Sequence, residues 1–113
     1  MVKRVTQNAR EDLADIAGYI RLDSPMSAMK FATNARDAFL DHPPNFKPRR
    51  VFPEFEEVVR VLTIKGFDGY LAYYAEMPDA LYLLAVIAPG VSDARRQRMV
   101  GAGLHDMEVG AYD

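Results

Sequence analysis

Val58-Val-Arg-Val-Leu-Thr-Ile-Lys-Gly-Phe-Asp-Gly-Tyr-Leu-Ala-Tyr-Tyr-Ala-Glu-Met-Pro-Asp-Ala-Leu-Tyr-Leu-Leu-Ala-Val-Ile-Ala-Pro-Gly-Val-Ser-Asp93 is the stretch on which the fold turns. It holds three runs rich in β-branched, aromatic and aliphatic residues, Val58 to Ile64, Tyr70 to Ala75 and Leu81 to Ile87. Lys65-Gly-Phe-Asp-Gly69 and Met77-Pro-Asp-Ala80 part them. Glycines in the first link supply positive φ, and Pro78-Asp79 suits the centre of a tight turn, so both links are short enough to make neighbours antiparallel. The stretch predicts a three-stranded meander. Such a sheet buries little alone and needs a layer across one face.

That layer is upstream. Ala9, Leu13, Ile16 and Ile20 recur at spacings of four, three and four, which puts them on one helical face. Thr6 or Asn8 is the expected cap, Asn8 being followed by Glu11 as in a capping box, and the helix is expected to end near Leu22. Ser24-Pro25 then reads as an N-cap followed by proline at the first position of a second helix. Its apolar stripe is Ala28, Phe31, Ala35 and Phe39, and His42-Pro43-Pro44 stops it. Val2 to Val5 is one short edge strand. The expected class is therefore α+β: an N-terminal strand and an αα-hairpin packed on a three- to four-stranded antiparallel sheet, with Leu13, Ile16, Ile20, Phe31, Phe39, Leu62, Leu71, Leu83 and Val86 in one core. The sheet's other face is expected to stay open.

Less is legible elsewhere. Pro44, Pro48 and Pro53 punctuate a stretch that reads as an extended surface loop carrying Lys47, Arg49 and Arg50. After Asp93-Ala-Arg-Arg-Gln-Arg98 come Gly101 and Gly103, so residues 99–113 are expected to be either a short helix or a frayed tail. The chain has 113 residues, 50 % apolar and 27 % charged, which suits one globular domain. No run of about eighteen apolar residues and no leader pattern is found, so a cytoplasmic protein without a membrane partner is expected. Cysteine is absent, which removes disulfides, thiolate nucleophiles and cysteine zinc sites. Fourteen basic against sixteen acidic residues leave a net charge of −2, with no global pull on nucleic acid, and no direct binding to it is expected.

The order β-α-α-β-β-β, with these residues in it, resembles the ParE/RelE superfamily of toxins from bacterial type II toxin–antitoxin modules. The resemblance is carried by Ala9-x-x-Asp12-Leu13-x-x-Ile16-x-x-Tyr19-Ile20, by Ser24-Pro25-x-x-Ala28-x-x-Phe31, and by Arg60 opening the second strand. Phe67-x-x-Tyr70-Leu71-x-Tyr73-Tyr74 and Leu81-x-Leu83-Leu84-x-Val86-Ile87 complete it. It covers nearly the whole chain and is closest to the ParE branch. Where that pattern closes its last strand with a histidine-glycine-alanine-arginine-aspartate run, this chain has Ala88-Pro-Gly-Val-Ser-Asp93. Asp93 stands near the family's acid, and Arg95 or Arg96 is a displaced arginine.

The resemblance implies a toxin that grips DNA gyrase and is silenced by a cognate antitoxin protein, within a higher-order toxin–antitoxin assembly. The alternatives are a RelE-like ribosome-dependent mRNA endoribonuclease and a degenerate member that only binds an antitoxin. Cleavage needs a proton acceptor, a donor for the leaving oxygen and cations for the phosphorane, and the sheet segment offers one arginine. No catalytic, cofactor or metal residue is assigned, and His42, His105 and the serines lack partners in sequence. The partner-binding candidates are Arg60, Tyr70, Tyr73, Arg95, Arg96 and Arg98, together with Lys47, Arg49 and Arg50. Each has a plainer reading: strand aromatics usually pack, a charged run is usually a solvated face, and Arg60 can pair with Glu54, Glu56 or Glu57.

Overall fold

The structure is a computed structural model that describes residues 2–41 and 59–113. His42, Lys47, Arg49, Arg50, Val58 and the expected proline-punctuated loop lie outside the described residues. The elements are β1 (Val2–Val5), α1 (Gln7–Arg21), α2 (Pro25–Leu40), β2 (Val59–Thr63), β3 (Leu71–Glu76), β4 (Ala80–Ile87) and α3 (Asp93–Val109). The sheet order is β1-β4-β3-β2. The expected meander is there: Leu62 stands opposite Ala72, and Leu71 opposite Ile87. Gly66 and Gly69 take φ of 83° and 84°, the left-handed values that help the short link reverse the chain between β2 and β3.

Three expectations are corrected, and the choice of cap for the first helix is decided. The sheet is mixed, because β1 pairs parallel with β4. A strand that returns to the sheet through a helical hairpin has the long crossover that parallel pairing requires. Leu71 belongs to the opposite face from Ala72, since side chains alternate along a strand, and it leaves the core shared by Phe31, Phe39, Leu62, Leu83 and Val86. Asn8 is not the cap. Thr6 is, its Oγ1 accepting from the Ala9 amide at 3.1 Å while donating to Leu83 O at 2.8 Å. Finally, the sheet's second face is covered. The expected short helix or tail is the 17-residue α3, which lays Met99, Val100, Leu104 and Met107 on Val61, Tyr73, Tyr82, Leu84 and Ile87.

Gly103 explains why α3 fits. A Cβ built there would lie 2.6 Å from the Leu84 carbonyl carbon, 2.7 Å from Leu84 Cα, and closer still to its oxygen. Only a residue without Cβ lets the helix backbone approach that strand. Leu84 is itself irregular: pairing steps from Tyr73–Ala85 to Tyr74–Leu83, leaving Leu84 as the extra residue of a bulge. Leu84 and Ala85 consequently both face α3, while Leu83 and Val86 face the hairpin.

Beyond Val5, no strand of the described residues lies along the outer edge of β4, and α1 supplies hydrogen-bond partners there. Asn8 Nδ2 donates to Leu84 O at 2.9 Å and to Met99 O at 3.1 Å, and Asp12 Oδ2 accepts from the Val86 amide at 3.0 Å. Asn8 and Asp12 are one turn apart, so both reach the same edge. Asp106 of α3 accepts from the Asn8 amide at 2.7 Å, and Gln7 N donates to Ala111 O at 2.9 Å. The first three amides of α1 are thereby all satisfied. The last residues close the outer side of β1, where the Val5 amide donates to Asp113 Oδ1 and Tyr112 stacks edge-on to Tyr82 at 5.1 Å.

Burial pushes the Asp12 carboxyl up to about 6, with Asp15 and Glu11 adding to the shift and the Val86 amide opposing it. A folded pKa above the unfolded value means the native state holds a proton that the unfolded chain has released between pH 4 and 6. Stability from this group is present below pH 4 and falls as pH rises through 6. Asp12→Asn keeps an acceptor for Val86 and removes the charge. It should raise stability at pH 7 by about 1 kcal/mol, allowing for the partial exposure of the group. The variant should also flatten the pH 4–6 slope in urea unfolding, and slopes that stay parallel to those of the unchanged chain would contradict the assignment.

Candidate partner-binding surfaces

The proposed binding residues occupy both sides of the sheet. On the α3 side, Ser92 Oγ accepts from the Arg95 amide at 3.3 Å and starts the helix, with Asp93 in the first turn where the dipole favours an acid. The helical period then splits the arginines. Arg95 and Arg98, three residues apart, are exposed, and Arg96 between them is half-buried. Arg96 Nε donates to Val91 O at 2.9 Å and Nη1 to the Tyr73 hydroxyl at 3.3 Å. Arg96 and Tyr73 are thus brought together as a buried-to-surface link that positions the start of α3. Tyr73 itself is core, only its hydroxyl reaching a polar partner.

On the hairpin side, Arg60 stands opposite Tyr74 and its Nε lies 3.7 Å from Glu76 Oε2. Glu76 is on β3, further along the same face, and Glu54, Glu56 and Glu57 lie outside the described residues. Burial, and Glu76 after it, push the Tyr74 phenol up, with Arg60 working against them. Lys3 extends from β1 on this face to the end of α2, where Nζ donates to Phe39 O at 3.0 Å and to Leu40 O. A cation on the last carbonyls of a helix is well placed in the dipole field.

Tyr70 lies at the other end of this face. Its ring meets Phe31 at 5.3 Å and Phe67 at 6.1 Å, and Phe31 meets Phe67 edge-on at 5.1 Å. It holds the β2–β3 link against α2.

The sheet therefore separates Arg60 and Tyr70 from Tyr73, Arg95, Arg96 and Arg98. Among the described candidates, Arg95 and Arg98 are both exposed and lie about one helical turn apart, an arrangement suited to recognising carboxylate or phosphate. Two groupings escaped sequence reasoning. One is the Asn8, Asp12 and Asp106 set. Its signal was the i, i+4 spacing of Asn8 and Asp12 beside the apolar stripe. The other is the Lys3 cap, for which strand position gave no signal. Among the described residues no three His, Asp or Glu side chains gather to hold a metal ion, and no helix is long and apolar enough to cross a membrane. No family model matches the chain, and no curated protein matches it.

Proposed function

We propose that this chain is the toxin partner of a two-gene toxin–antitoxin module of the ParE/RelE kind, acting by gripping DNA gyrase and neutralised by a cognate antitoxin. The observation that carries the reading is the element order β-α-α-β-β-β ahead of α3, with the resembling residues distributed over it in sequence. Ala9 to Ile20 lie on α1, Ser24 and Pro25 open α2, Arg60 lies on β2, Leu71 to Tyr74 on β3 and Leu81 to Ile87 on β4. Recognition rather than cleavage is supported by the paired outward arginines of α3, since arginine is favoured where binding energy concentrates. A net charge of −2 is poorly suited to ribosomal RNA.

Purified protein added to gyrase and plasmid should block supercoiling or trap cleaved DNA. Arg95→Ala with Arg98→Ala should raise the half-inhibitory concentration roughly tenfold without unfolding, because both residues are exposed. Codon-phased cuts in mRNA on translating ribosomes, with supercoiling normal, would establish the ribonuclease instead. Silence in both assays, with a stable complex formed by the neighbouring gene product, would leave a binding-only member.

A further inference from the structure

A hollow of about 340 Å³ lies between the second half of α2, Leu13 of α1 and the sheet. Phe39 and Leu83, each 1 % exposed, are the most buried residues lining it. Thr33 and Arg36 line it from α2, three residues apart and so on one face of the helix. We propose that this hollow binds a small amphiphilic acid, a medium-chain carboxylate whose apolar body rests on Leu13, Phe39 and Leu83 and whose carboxylate meets the Arg36 guanidinium and the Thr33 hydroxyl.

Size is the first reason. The volume is that of a small-ligand site, where roughly 300–1,000 Å³ is usual, and an α-helix about 10 Å across does not enter it. At roughly 30 Å³ for each water-sized group, the occupant has about ten non-hydrogen atoms. The lining is the second reason. Of the described side chains around the hollow only Thr33 and Arg36 are polar, so a body rich in polar groups would give up hydration there without regaining hydrogen bonds. Charge is the third. The planar fork of Arg36 matches a carboxylate, and Lys3 brings a second cation to the same end of α2, its Nζ donating to Phe39 O at 3.0 Å and lying 5.9 Å from the centroid of the Phe39 ring. That contact ties β1 to α2, so the Phe39 end of the hollow is held in place before a ligand arrives. Neutral and cationic amphiphiles gain nothing from these two cations. Leu13, Phe39 and Leu83 belong to the hairpin side of the sheet, opposite α3, so the site is tested independently of Arg95, Arg98 and gyrase.

The test titrates the full chain, ¹³C-labelled at its leucine and valine methyl groups, with sodium octanoate, octan-1-ol and octylammonium chloride. Octanoate should shift the Leu13 and Leu83 methyl signals and saturate with a Kd below about 1 mM. Octanol should bind about tenfold more weakly and octylammonium more weakly still. Arg36→Gln should raise the octanoate Kd about tenfold and leave octanol binding unchanged. Arg36 is exposed, so the variant keeps its fold. Equal binding of octanoate and octanol, an octanoate Kd that Arg36→Gln moves by less than about twofold, or unmoved signals at about 5 mM octanoate would overturn the proposal. So would shifts spread evenly over all leucine and valine methyl groups, which report unspecific partition onto apolar surface.

Discussion

Gly103→Ala should unfold or nearly unfold the protein, while Gly101→Ala, two residues earlier in the same helix, should leave it slightly more stable. The two positions differ in what a methyl group meets. At Gly101 nothing lies within 4 Å, and the substitution replaces the poorest ordinary helix former with the best, a gain of up to about 1 kcal/mol. At Gly103 the methyl meets the carbonyl carbon and Cα of Leu84 at 2.6 and 2.7 Å. Backbone at the centre of a sheet cannot rotate aside as a side chain can, so α3 must lift from β4. Lifting it loosens Val100, Met99, Leu104 and Met107 and lengthens the Asn8 bonds to Leu84 and Met99. Overpacking costs about 1–3 kcal/mol where neighbours yield, and more where they do not. We expect at least ~3 kcal/mol, a large share of the ~5–15 kcal/mol of a domain this size. Urea midpoints of the two variants decide it: equal shifts would mean that α3 does not rest on β4 through Gly103.

This pair also shows why α3 was hard to read. Two glycines within three residues lower helix propensity, and from sequence they read as breakers. The apolar set Met99, Val100, Leu104 and Met107 does keep helical spacing. Its interruption by Gly103 is what the packing demands, a conflict between local preference and tertiary fit that the tertiary term wins. The meander was legible because its strands are dense in β-branched and aromatic residues and its links carry the turn chemistry. The bulge at Leu84 was not, since Ala80–Ile87 is buried along its whole length and a fully buried strand has no alternation to interrupt.

The candidate site was legible only as composition. Arg95, Arg96 and Arg98 stand together in sequence, but 100° per residue turns Arg96 inward to Tyr73 and leaves the other two outside. A run of charge on a helix is therefore two functions interleaved, one holding the helix to its sheet and one facing solvent. Asn8 carried a capping-box pattern and was recruited instead to an unpaired strand edge, because Thr6, two residues earlier, already lay at the sheet and could cap from there. Long-range demands of this kind leave no periodic trace in sequence.

Phe31→Ala should cost about 3–5 kcal/mol, the range for deleting a buried aromatic ring. Phe31 is fully buried on α2, and its ring meets Phe67 at 5.1 Å and Tyr70 at 5.3 Å, edge-on to both. These contacts join the hairpin to the β2–β3 link, so the deletion should loosen residues 64–70 ahead of the sheet. Faster amide exchange at Phe67 and Tyr70, which donate to Ile64 O and Phe67 O, would report it. The same cluster decides how Tyr70 is to be understood. If the ring matters for packing, Tyr70→Phe changes stability little and Tyr70→Ala loses much of what Phe31→Ala loses. In the double variant the two losses should overlap by about 0.5–1.5 kcal/mol, the coupling of an aromatic pair. A partner-facing tyrosine behaves otherwise: Tyr70→Phe would weaken partner binding with stability unchanged, and the cycle with Phe31 would show no coupling. A stability loss under about 0.5 kcal/mol for Phe31→Ala would remove the hairpin from this face of the sheet altogether.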